Sequence, residues 1–199
     1  MSVRDLVLAT HNRGKLVELA DRLGALPVRL HTMDSLRLPP AEESGDTFEA
    51  NAKIKAEACS LRTPHLVIAD DSGLEVDTLG GEPGVRSARF GGPRLNDDDR
   101  NRLLLERLAG TAWEDRAGRF VCVVSLARNG AEIVRFRGEV AGIIALEPRG
   151  TRGFGYDPLF YYPPAARTFG ELTLDEKAAV SHRGQALAAA AAWLLRNED

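Results

Sequence analysis

Two long runs rich in Val, Ile and Phe, "GRFVCVVSLARNG" and "AEIVRFRGEVAGIIALEP", meet at Asn129-Gly130. Asn-Gly readily takes the positive-φ conformations of a two-residue hairpin, so these runs predict two neighbouring antiparallel strands. A chain with such a hairpin has to assemble its core around a sheet. Upstream the pattern changes. "VRDLVLAT" predicts a strand over Val3–Ala9, followed by Leu16, Leu19, Ala20 and Leu23 at helical spacing with Asn12 in the N-cap position. A second strand over Val28–His31, a helix from about Thr47 to Leu61 and a third strand over Leu66–Ala69 repeat the alternation. Strand–helix alternation followed by a hairpin predicts an α/β fold with a mixed sheet. Its 199 residues suffice for one domain with a full hydrophobic core.

The third strand poses the chemical question. The apolar run Leu66–Ala69 leads directly into Asp70 and Asp71, and carboxylates at the end of a buried strand need a compensating partner such as a metal ion. Consecutive strand residues point to opposite faces, so one aspartate can face a cleft while the other turns inward to bond backbone groups. A hard ion such as Mg2+ takes one or two protein carboxylates and fills its remaining positions with water and phosphate. Glu43 and Asp71 would suffice for that; solvated loop acids are the plainer alternative.

"LATHNRGKLVEL" runs from a strand through a polar turn into a helix, with Lys15 in the first turn. Helix N–H groups and dipole then converge with a full positive charge, which is the outline of a phosphate cradle. It is not a Walker A loop, because Ala9 replaces the first glycine and Leu16 replaces the metal-binding Ser/Thr. Lysine is scarce here, four residues against twenty-two arginines, which singles out Lys15, Lys53, Lys55 and Lys177. "GFGYDP" fails the dinucleotide fingerprint at Pro158, yet a base could stack on Phe154 or Tyr156 while Asp157 accepts from its N–H groups. In "DEKAAVSHRGQAL", Ser181 is placed to cap a second helical segment that begins with the donors His182 and Arg183.

Other classes are excluded or unsupported. A net charge of −3 gives no basis for wrapping a nucleic-acid polymer, and no apolar stretch is long enough to span a membrane. Cys59 and Cys122 have neither disulfide-framework nor zinc-type spacing and are expected as core thiols. The N-terminus lacks a signal-peptide layout, which predicts a cytoplasmic protein.

The motifs also occur in a specific order: Thr10-x-Asn12-x-x-Lys15, "EESG", "NAKIKA", "ADDSGLEVD", "GGEPGVRSARF", "GFGYDPLF" and "EKAAVSHRGQAL". In this the chain resembles the inosine triphosphate pyrophosphatase family over nearly its whole length. The resemblance implies one elongated, two-lobed α/β domain over residues 1–199, with helices flanking the mixed sheet and a deep central cleft, usually as a homodimer. It implies Mg2+-dependent cleavage of ITP, dITP or XTP to monophosphate and pyrophosphate. Carried over by position, Thr10, His11, Asn12, Arg13, Gly14 and Lys15 would bind the triphosphate with Lys55 nearby. Glu43 and Asp71 would hold the metal, and Asp71 would take the proton of the attacking water. Ser72 would contact substrate, and Phe154, Gly155, Tyr156, Asp157, Lys177, His182 and Arg183 would form the nucleoside pocket. Donation from His182 and Arg183 to the 6-oxygen of the base would disfavour adenine, whose 6-amino group sets donor against donor. His11 departs from the family's frequent glycine, and Tyr156 stands where some members carry another aromatic. Two other readings remain open: a pyrophosphatase for other modified nucleotides, and a nucleotide-binding regulator without turnover.

Overall fold

The computed structural model describes residues 3–197. The chain begins with β1 (Arg4–Leu8), α1 (Arg13–Leu23), β2 (Val28–Thr32), α2 (Phe48–Ser60) and β3 (Leu66–Val76). It continues with α3 (Asp97–Arg107), β4 (Ala117–Arg128), β5 (Ala131–Ile144), β6 (Phe160–Tyr162), β7 (Arg167–Thr168), α4 (Leu174–Val180) and α5 (His182–Arg196). The strands form one seven-stranded sheet in the order β2-β1-β3-β4-β5-β6-β7. β1 pairs in parallel with β2 and β3, while β6 pairs antiparallel with β5 and β7, so the sheet is mixed. Asn129 and Gly130, at φ 54° and 80°, form the turn between β4 and β5 that the sequence anticipates.

β3 differs from expectation. It does not stop at Ala69 but runs through both aspartates to Val76, with Asp70 and Asp71 buried inside the strand. Beyond the Gly153–Pro158 turn the chain adds β6 and, farther on, the two-residue β7. Both cysteines are buried free thiols, as expected of core positions.

The residues gather into two compact units that share the long strands. The first holds the chain up to Asp71, Cys122–Gly138 and the chain from His182; the second holds Ser72–Val121 and Glu139–Ser181. In the first unit, strand alternation sends Leu6, Leu8, Leu66 and Ile68 to one face, where they pack with Leu19 and Leu23 of α1 and Ala186, Leu187 and Ala190 of α5. Val7, Ala9, Val67 and Ala69 point the other way and pack with Ala56 and Cys59 of α2. Gly138 admits the start of α5, since a Cβ there would collide with the His182 carbonyl oxygen. In the second unit the core is more aromatic, with Phe120, Phe160 and Phe169 among Leu74, Leu104, Leu108 and Leu159.

α4 is short and depends on its cap. Thr173 Oγ1 accepts from the Glu176 N–H, and the Glu176 carboxylate returns to the Thr173 N–H at 2.8 Å. The Arg167 guanidinium grips the same carboxylate at 2.8 and 3.3 Å. Hydrogen bonds from Arg167 first, and then from the Thr173 backbone, bring the Glu176 carboxyl down to about 2 from its ordinary 4.5. Because the folded value is depressed, this stabilisation is complete above the unfolded value and is lost as pH falls through the folded one. Glu176→Gln should therefore lower the melting temperature at pH 7, and the gap to the parent should close in melts recorded near pH 2.

Candidate active site

Asn12 caps α1 as the sequence indicates: its Oδ1 accepts from the Lys15 N–H at 3.1 Å, and its own N–H donates to Thr10 Oγ1 at 3.1 Å. The side chains of Thr10 and Asn12 are thus committed to the shape of the turn, while the start of α1 keeps its positive end. His11 lies against Asp34 at 3.4 Å on an exposed surface.

Lys15 reaches Asp70. Its ammonium is 3.1 Å from Asp70 Oδ2, and Arg183 Nε and Nη2 donate to the same oxygen at 3.2 Å each. Arg183 Nη1 donates in turn to Glu18 Oε2 at 2.5 Å, one turn of α1 beyond Lys15. The Asp70 and Arg183 side chains are 0% and 2% exposed. Burial alone would raise the Asp70 pKa, but Lys15, Arg183 and Lys55 outweigh it and hold the carboxyl well below the usual range. Asp70 is therefore the inward-turned aspartate, although its partners are buried cations and not the backbone groups expected.

Asp71 belongs to a second cluster. Lys55, on α2, donates to Asp71 Oδ1 at 2.7 Å and to Glu43 Oε1 at 2.8 Å. Burial, with Glu43 also adding negative charge, raises the Asp71 carboxyl above its ordinary value against the pull of Lys55 and Lys15. Asp71 Oδ2 is buried with no hydrogen-bond partner among the described residues. Two carboxylates from separate segments converging on one ammonium, with a buried acceptor left over, form an oxygen donor set suited to a hard divalent cation. The Glu43 segment is anchored nearby, since the Gly45 N–H donates to Asn51 Oδ1 at 2.9 Å and Asn51 is fully buried.

In the second unit, the Lys177 ammonium is 2.5 Å from Asp157 Oδ2 and 4.9 Å above the Phe154 ring. The same oxygen accepts from the Phe154 N–H at 2.9 Å. Gly153, at φ 74°, has no room for a side chain, since a Cβ would collide with the Asp157 carboxylate. Gly155 is held on both sides: its N–H donates to Asp97 at 2.8 Å, and its carbonyl accepts from Asn101 at 3.0 Å. The two aromatics differ in role. Tyr156 is buried in the core with its hydroxyl donating to the Ser87 carbonyl at 2.9 Å, so it offers no stacking face; Phe154 is half-buried. Asp157 likewise directs its carboxylate to Lys177 and the turn. Ser72 follows Asp71 on β3 and is half-buried.

The structure thus brings Lys15, Asp70 and Arg183 together, then Glu43, Lys55 and Asp71, and separately Phe154, Asp157 and Lys177. His182 and Arg183, expected beside the base, belong to the first unit, where Arg183 binds the buried Asp70. Lys53, left without a role by its position, lies 3.8 Å from Glu57 on the same helix. Sequence reasoning passed over Glu18 and Asn51. Helical spacing from Lys15 points to Glu18, whereas Asn51 becomes visible only once its helix position is known to be buried.

The profile of the Ham1 family matches residues 6–193. The chain is 49% identical to the "dITP/XTP pyrophosphatase" of Exiguobacterium sp. over 92% of each chain. It is 50% identical to a protein of that name from Thermus thermophilus, over 92% of this chain and 88% of the other. Among solved structures, a HAM1 protein from Coxiella burnetii superposes with a TM-score of 0.89 at 40% identity, covering 98% of this chain and 100% of that one. A Mycobacterium abscessus structure described as a nucleoside-triphosphatase/dITP/XTP pyrophosphatase gives 0.73 at 42% identity, covering 94% and 98%.

Removing the Asp70 charge takes a buried counter-anion from both Lys15 and Arg183. Asp70→Asn should cost on the order of 3 kcal/mol of folding stability in urea titrations. Asp71→Asn should cost much less, because its partner Lys55 keeps Glu43.

Proposed function

Since the chain belongs to the Ham1 family, as its order of motifs implies, we propose that it hydrolyses noncanonical purine nucleoside triphosphates (dITP, ITP and XTP) to the monophosphate and pyrophosphate. The observation that carries the reading is the separation of two adjacent aspartates into different electrostatic roles. Asp70 is the permanently ionised anchor of Lys15 and Arg183. Each aspartate keeps one buried oxygen with no hydrogen-bond partner among the described residues, but only Asp71 has a raised affinity for a proton.

In this mechanism the amides at the start of α1 and the Lys15 ammonium take up triphosphate charge. Asp71 accepts a proton from water as its oxygen bonds to the α-phosphorus. The bond from that phosphorus to the bridging oxygen breaks, and pyrophosphate departs with the bonding pair. Glu43 and Asp71 would hold Mg2+, which when bound neutralises triphosphate charge. Lys55 balances those carboxylates in its absence. Phe154 supplies a stacking face, and the Lys177 ammonium beside it is a donor suited to a 6-oxo base and mismatched to a 6-amino one.

A homodimer belongs to the same reading, supported by the family resemblance, and a cytoplasmic location goes with an activity on the nucleotide pool. Among the described residues no helix is long and apolar enough to cross a membrane.

Pyrophosphate release from dITP, XTP, GTP, ATP and dUTP, with Mg2+ and with EDTA, tests the proposal. The expected result is metal-dependent release strongly favouring dITP and XTP. Equal release from ATP would remove the specificity, and tight binding without release would support a regulator. Asp71→Asn should reduce turnover on the order of 100-fold or more while dITP still binds.

A further inference from the structure

A second constellation lies at the other end of the same strands. Asp5 on β1, His31 on β2 and His65, the residue before β3, present their ligand atoms within 4.8 Å of one another. The parallel register accounts for the meeting. Val7 is opposite His31 and Leu6 is opposite Leu66, so Asp5, His31 and His65 share the face that carries Val7 and Val67. His65 precedes Asp70 by five residues along an extended chain, a separation of about 16 Å. The cluster is therefore distinct from the Asp70–Asp71 site and goes beyond the proposed activity.

Its geometry is that of a ligand set. His31 Nε2 is 2.8 Å from Asp5 Oδ1, and His65 Nδ1 is 3.8 Å from Asp5 Oδ2, one imidazole facing each carboxylate oxygen. A tetrahedral ion with bonds of about 2.0–2.1 Å places neighbouring ligand atoms about 3.3 Å apart, and these two separations bracket that spacing. The imidazole rings lie parallel, 5.2 Å between centroids and 5° between planes. Modest rotation about χ2, a soft torsion in His, turns their nitrogens toward a common point. The Asp5, His31 and His65 side chains are 26%, 23% and 30% exposed, partly sunk with one side open to water. The hydrogen bond to His31 accounts for half the arrangement; the second imidazole, beyond hydrogen-bond range of the other oxygen, is left unexplained by it.

We propose that Asp5, His31 and His65 form a binding site for a first-row divalent transition ion, with Zn2+ the best-matched probe. Two imidazoles and one carboxylate suit Zn2+, whereas Mg2+ prefers oxygen ligands alone. One ion would join β1, β2 and the entry to β3, and so stabilise the folded chain by mass action. Arg29 opposes it. Its guanidinium lies 3.4 Å from Asp5 Oδ1 on a side chain 66% exposed, adding positive charge beside the site while remaining free to swing into solvent.

The test is equilibrium dialysis of the full-length protein, stripped with EDTA, against Zn2+ in excess Mg2+, with thermal melts alongside. One Zn2+ per chain is expected at this site, with a rise in melting temperature. His65→Ala and His31→Ala should each weaken uptake on the order of tenfold or more and abolish the thermal shift. Arg29→Gln should tighten uptake, and Mg2+-dependent turnover of dITP should be unchanged in His65→Ala. Absence of uptake by the parent protein, or uptake and thermal shift equal in parent and His65→Ala, would overturn the site. If dITP turnover itself proved absent, the proposed function would fail while the Zn2+ result stood on its own.

Discussion

The local electrostatics turn on one buried carboxylate. Asp70 is enclosed by Lys15 from the start of α1 and by Arg183 from the start of α5, and losing it would leave Lys15 without its buried anion and Arg183 with Glu18 alone. The interaction joins a central strand to the two helices packed on one face of the sheet. It also fixes where the N-terminus of α1 points. That end of the helix, the proposed triphosphate site, is held in place by side chains already fixed by hydrogen bonds, which limits the reorganisation a triphosphate would require.

The neighbouring residue has the opposite character because of the pleat. Asp71 leaves the strand on the other side, toward Lys55 and Glu43, where burial raises its proton affinity. A single peptide bond separates an anion that stabilises cations from one suited to accept a proton. The motif Asp70-Asp71 is thus best understood as two functions assigned by strand alternation, with the Glu43 segment completing the second.

Much of this is legible in the sequence because it is local. The Asn12 cap, the Asn129-Gly130 turn and the apolar alternation of β1 and β3 follow from short-range chemistry, and the family resemblance adds residue roles by position. The extent of β3 was not legible: carboxylates read as a strand end unless the cations that neutralise them are known, and Arg183 lies 113 residues away from Asp70. The same applies to Tyr156. An aromatic between glycines suggests a stacking surface, but its hydroxyl finds the Ser87 carbonyl and its ring the core. The Asp5, His31 and His65 cluster is not legible for a related reason, since only the pairing of β1 with β2 and β3 brings those residues together.

The central chemical claim is that water attacks the α-phosphorus. Hydrolysis of dITP in 18O-labelled water, followed by mass spectrometry of both products, tests it directly. The account predicts label in the nucleoside monophosphate and none in pyrophosphate. Label in pyrophosphate would mean attack at the β-phosphorus and would contradict attack at the α-phosphorus.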